Sequence, residues 1–158
     1  MADQLTLAPL IRAGTKIAPR GPGKSERHFL DFVINGSSLW ENIGKRNDTV
    51  SILCAEYVPA QTIKALNRLL LTEPTEIPNN RRCVFICSEC GDLGCGAVTA
   101  LITRKGDSIV WEEFGFENNY EPEIRWAGYE NVGPFAFDAK EYEQTLREGL
   151  ERLKGMRV

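Results

Sequence analysis

Histidine occurs once in the 158 residues, as His28. Cys-His or general-base chemistry therefore has a single imidazole to draw on. No apolar run approaches the roughly 18 residues that a membrane-spanning helix needs, so no such helix is expected. The one glycine-rich loop, Gly91 to Gly96, lacks the Gly-Lys-Ser/Thr ending of a phosphate-binding loop, and Ser88 lies in no G-x-S-x-G elbow. There is one C-x2-C and no second, and there is no internal repeat or low-complexity tract. The opening Met1-Ala2-Asp3-Gln4 has neither the charged start nor the apolar stretch of an export signal, so a cytoplasmic protein is expected. An odd count of 5 cysteines without an export signal fits a reducing compartment, with thiols free or bound to metal.

What remains is an ordinary soluble composition, 42% hydrophobic and 26% charged, and a length that suits one domain over residues 1–158. Its chemistry is concentrated between Cys83 and Phe116. Val84-Phe85-Ile86 has the apolar, β-favouring character of a strand. Gly91, Gly94 and Gly96 then shape a loop, because glycine takes positive φ without steric cost. Alternation returns from Ala97 to Arg104, Lys105-Gly106-Asp107 makes a tight turn, and Ser108 to Phe116 runs back. Glu112-Glu113 breaks the second alternation, which predicts a bulge or an exit from the core.

Cys87, Cys90 and Cys95 carry the spacing C-x2-C-x4-C on that loop. A knuckle of this kind aims two sulfurs at one point, as zinc ribbons do, and the third sulfur completes one face of a zinc site. The fourth ligand is not selected by spacing. Cys83 sits four residues before Cys87, about 13 Å along a straight strand. Thiolates that share a zinc each stand about 2.3 Å from it, so Cys83 would serve only on a sharply bent strand. Cys54, His28, Glu89 and Asp92 are the other candidates. The same cysteines also read as reduced thiols packed as small hydrophobes. A redox pair is disfavoured, because Cys90 leads into a strand and not into a helix whose N-terminus would lower a thiol pKa.

The string C-x-E-C-G-D-L-G-C-G-A-V-T from Cys87, followed by V-W-x-x-F-G-F-E-N-N-Y from Val110, resembles a group of small uncharacterised bacterial proteins. The resemblance extends to an F-x-F-D-x-x-x-Y segment, here Phe135 to Tyr142. It is tight over residues 83–120 and looser over 134–150. Members of the group sometimes carry a generic oxidoreductase label. The resemblance implies the shared hairpin and transfers no catalytic residue.

Charge is unevenly spread. Residues 12–27 are net +4 and broken by Gly and Pro, which predicts a basic loop or arm. Residues 112–130 carry six glutamates against Arg125, a net of −5, interleaved with Tyr120, Trp126 and Tyr129. Such a surface complements a basic partner.

Elsewhere the pattern gives a strand after His28 and a short capped helix from Ser38 to Gly44. A strand over 48–55 follows, then a helix from Pro59 with Ile63, Leu66 and Leu70 inward, and a possible strand near 124–127. A last helix is capped by Asp138, with Tyr142, Leu146, Leu150 and Leu153 inward. The expected architecture is α+β: one domain, a mostly antiparallel sheet of about five strands, two longer helices and one short one.

Three roles fit. One is a non-enzymatic binding protein, for instance an immunity-type inhibitor of a bacterial toxin, using Glu112, Glu113, Glu117, Tyr120, Glu121 and Trp126 against a basic protein surface. A second is a zinc-stabilised interaction module built on Cys87, Cys90 and Cys95. The third is a thiol enzyme with Cys90 or Cys95 as nucleophile and His28 as base. Nucleic acid is disfavoured as a partner by the net charge of −3, and no membrane partner is expected.

Overall fold

The structure is a computed structural model and describes residues 2–15 and 23–156. The fold is α+β. β1 (Leu5–Arg12), β2 (Arg27–Ile34) and β3 (Ser37–Ser38) form one antiparallel sheet in that order. β4 (Thr49–Ser51), β5 (Arg81–Cys87), β6 (Ala97–Lys105), β7 (Ser108–Glu117) and β8 (Phe135–Asp138) form a second, each strand antiparallel to the next. Helix α1 (Pro59–Leu69) lies between β4 and β5 in the chain, and α2 (Ala139–Met156) follows β8.

The two sheets meet along both edges. Leu30 N donates to Leu53 O and Ala55 N to His28 O beside β2, while Asp3 N donates to Ala136 O beside β8. They therefore wrap a shared core. Trp111 on β7 is fully buried at its centre, 5.2 Å from the Phe32 ring, 5.5 Å from Phe137 and 6.1 Å from Tyr142. Its Nε1 donates to Tyr142 Oη at 3.1 Å, and that hydroxyl donates to Leu69 O at 2.6 Å. One hydrogen-bonded chain thus ties β7, α2 and α1. The expected bulge is present: Glu113 has φ of 52°, and the pairing of β6 with β7 jumps between Thr99 and Leu101. The extra residue turns both Trp111 and Phe114 inward, though they are three apart.

Several elements depart from expectation, each for a local reason. The chain after Ser38 forms a π turn (Trp40–Gly44) and a 3-10 turn (Lys45–Asn47), ending at Asp48 rather than Gly44. Ser38 Oγ does accept from Glu41 N, but it also donates to the buried carboxylate of Asp31 and so remains tied to β2. Gly44 serves packing, since a Cβ there would stand 2.7 Å from Trp40 and 3.0 Å from Phe85. Past Ser51, Ile52 N still reaches Val84 O on β5, but Leu53 to Ala55 turn away to pair with β2. On α1 the buried face is Thr62, Leu66 and Leu69, whereas Ile63 is exposed and Leu70 half-buried. The stretch 124–127 makes one bridge, Arg125 to Phe116, and the fifth strand is instead β8.

The basic stretch 12–27 is also not uniformly a solvated arm. Arg12 ends β1 and is buried, Arg27 opens β2 and is half-buried, and residues 16–22 lie outside the described residues.

The loop from Cys87 enters β6 through Gly96, whose φ is 108°. A Cβ at Gly96 would collide with the Phe116 ring on β7. Gly106, at φ 62°, has open space around it. Gly96→Ala should therefore cost about 2–3 kcal/mol, and Gly106→Ala about 1 kcal/mol, from backbone strain alone. Urea unfolding of both variants measures the difference.

Candidate metal centre

β5 delivers Cys87 at its C-terminal end, and the chain reverses at once. Gly91 N donates to Cys87 O at 2.9 Å, with Gly91 at φ 64°. This places the backbone N–H groups of Glu89 and Cys90 against the Cys87 sulfur. One 3-10 turn follows (Leu93–Cys95), begun by Asp92, whose Oδ1 accepts from Gly94 N at 3.3 Å. The turn swings Cys95 back over the knuckle. The sulfurs of Cys87, Cys90 and Cys95 consequently lie within 4.8 Å of one another, with Cys90 Sγ and Cys95 Sγ at 2.9 Å and no disulfide formed.

Side chains from distant elements clamp this loop from behind. Arg27 Nε donates to Ser88 O at 2.6 Å and its Nη2 to Glu89 O at 3.1 Å. Tyr57 Oη donates to Cys87 O at 2.6 Å, and Gln61 Nε2 to Gly91 O at 2.9 Å. Arg12 bridges Glu89 and Asp48, with both ion pairs at 2.8 Å. These contacts anchor the loop to β1, β2 and α1.

The electrostatics of the three thiols differ. Burial alone would raise the Cys87 pKa, but the N–H groups of Cys90 and Glu89 outweigh it and hold that thiol below its ordinary value. Cys90 is pushed up to about 12, by desolvation and then by its hydrogen bond to Cys95. Like charges at this distance disfavour joint ionisation, so a cation is what lets all three sulfurs be thiolates together. A tetrahedral zinc with Zn–S near 2.3 Å needs sulfurs about 3.8 Å apart, within the span observed here. The residues present fit zinc.

The fourth-ligand candidates do not join them. Cys83 stays on β5, nearly buried, its pKa pushed up to about 12 by desolvation. Cys54 is buried, likewise pushed up to about 12 by desolvation, and donates to Glu56. His28 lies between Glu56 (2.8 Å) and Glu26 (3.3 Å), so its ring nitrogens face carboxylates and not a thiol. Glu89 Oε1 accepts from Arg12 and Asp92 Oδ1 from Gly94 N, and neither carboxylate joins the three sulfurs. Among the described residues no further Cys, His, Asp or Glu belongs to the cluster.

The acidic segment is placed less uniformly than its charge implies. Glu117 is buried: its Oε2 meets Arg81 Nε at 3.0 Å and also accepts from Thr99 Oγ1. Glu112 is half-buried beside Lys105 Nζ at 3.3 Å. Tyr129 is buried under Arg46. Glu113, Tyr120, Glu121 and Trp126 are exposed, Tyr120 at 80% and Trp126 at 43%. Glu112, Glu113, Trp126 and Glu130 border a groove of about 410 Å³ floored by Phe114. Tyr120 also reaches the cysteine loop, since its Oη lies 3.1 Å from where a Cβ of Gly94 would stand. Loop and acidic segment therefore adjoin.

Comparison of the chain with family models, with curated proteins and with solved structures gives no match. The clamping residues Arg12, Arg27, Tyr57 and Gln61 carry no sequence signal, because each acts on a loop 30 or more positions away.

Asp48 is desolvated, which raises its pKa, but Arg12 outweighs this and holds it below the ordinary carboxylate range. A depressed folded pKa contributes stability that is present above the unfolded value, about pH 4, and lost as pH falls through the folded one. Arg12→Ala should lower stability by about 1–2 kcal/mol at pH 7. It should also flatten the acid-side fall. Urea midpoints at pH 7 and pH 3 for both proteins check this.

Proposed function

We propose that this protein is a zinc-stabilised interaction module. Cys87, Cys90 and Cys95 hold one zinc ion on the preorganised loop, and the adjoining surface docks a basic partner protein. The observation that carries the reading is the convergence of three sulfurs on one knuckle whose amides already favour a thiolate. Zinc supplies charge and crosslinking here; the chain supplies a preorganised loop. With His28 engaged by two carboxylates, nothing in the cluster favours a thiol enzyme. Elemental analysis should find one zinc per chain after purification without chelator. Cys90→Ser and Cys95→Ser should each lower zinc affinity at least tenfold, whereas Cys54→Ser should leave it unchanged. Equal loss in all three, or no zinc in the parent, contradicts the site.

The basic-partner half of the proposal rests on the exposed Tyr120 and Trp126 among Glu113, Glu121 and Glu130. An immunity-type inhibitor facing a toxin's basic active site is one form that such a partner takes. Reversing Glu121 and Glu123 to lysine should slow association with the natural partner and flatten its salt dependence. Glu117 is unsuitable for such a reversal, because its charge is spent on Arg81. Binding unchanged at low salt in the double reversal contradicts this half.

A further inference from the structure

The metal reading leaves one coordination position to account for. Structural zinc sites are closed by four protein ligands, whereas sites that do chemistry or exchange keep one open. Here three sulfurs converge within 4.8 Å, and among the described residues Cys83, Cys54, His28, Glu89 and Asp92 place no donor atom in that group. The residues outside the described part, Met1, 16–22 and 157–158, contain no cysteine, histidine or acidic side chain. Cys90 and Cys95 are themselves exposed, so the cluster sits at the surface. Gly94, between Cys90 and Cys95 in the loop, has no side chain, and a Cβ there would meet Tyr120 Oη at 3.1 Å and oxygens of Asn119 and Asp92 at 3.5 Å.

Resting on the zinc reading, we infer that this is an open three-thiolate centre whose fourth position is filled from outside by an exchangeable small thiol. Three soft ligands bias zinc toward a fourth soft ligand, and a thiol is the soft monodentate donor that the surface opening admits. Without the thiol, water would fill that position. The exchange would be a ligand substitution without redox change, in which water leaves, the thiol sulfur takes its place and the thiol proton passes to solvent. The backbone N–H groups of Glu89 and Cys90 face the Cys87 sulfur and would offset part of the negative charge on the loaded centre.

Cobalt(II) replacement tests this on the whole chain, because cobalt absorption reports the sulfur count around the ion. With one cobalt bound, 2-mercaptoethanol should change the spectrum in one saturable step, at one thiol per metal, with the cobalt still on the protein after gel filtration. Cys83→Ser and Cys54→Ser should give the parent spectrum before and after thiol. A four-sulfur spectrum at the outset that thiol does not alter would overturn the open centre while leaving the zinc site standing. Failure to bind cobalt or zinc at all would overturn the zinc site itself and this inference with it. Cobalt stripped by thiol without a bound intermediate spectrum would also overturn the inference.

Discussion

A single buried guanidinium decides where the cysteine loop sits. Arg12 closes β1, yet its charge is spent on Asp48, just before β4, and on Glu89, inside the loop. Asp48 and Glu89, 36 and 77 residues from Arg12 along the chain, are pinned to it at one point. Both carboxylates are partly solvated, so each pair contributes modestly alone. Their joint effect is geometric. Arg12 fixes Glu89, Arg27 and Tyr57 fix the carbonyls on either side, and the knuckle has nowhere else to go. The buried guanidinium would be costly if either partner were lost, which makes the arrangement specific.

That constraint separates this centre from zinc modules that fold only when metal binds. Such modules are too small to bury a core. Here Trp111, Phe32, Phe114 and Phe137 and the two sheets around them supply one. On the zinc proposal, the metal would act on a loop that side chains from β1, β2 and α1 also hold, and would let three thiols ionise side by side.

Much of the frame was legible in the chain. β5, β6 and β7 follow from alternation between Val84 and Phe116, and the Glu112-Glu113 interruption correctly marks the bulge. The last helix follows from its cap, since Glu141 N donates to Asp138. β8 was hidden because Phe137 and Asp138 also fit a helix start, and four residues leave no period to read. Ile63 misled because the α1 face is set by what it packs against, not by apolarity alone. Glu117 shows the limit of charge counting: a carboxylate in an acidic run reads as solvent-facing until Arg81, 36 residues away, is brought beside it. The cysteine cluster was legible in its members, because C-x2-C-x4-C on glycines constrains the loop. Its supports were not, because a clamp built from Arg12, Arg27, Tyr57 and Gln61 exists only in three dimensions.

The central claim is that the fold, rather than the metal, builds the thiolate site. Amide hydrogen exchange, followed residue by residue on chelator-treated protein and again with one equivalent of zinc, tests it most directly. The account predicts that β5, β6 and β7 are equally protected in both states. Changes should be confined to residues 87–96, to 118–121, and to the clamping positions Arg12, Arg27, Tyr57 and Gln61. Collapse of sheet protection without zinc would contradict it, as would zinc-dependent changes centred on Cys54 or Cys83.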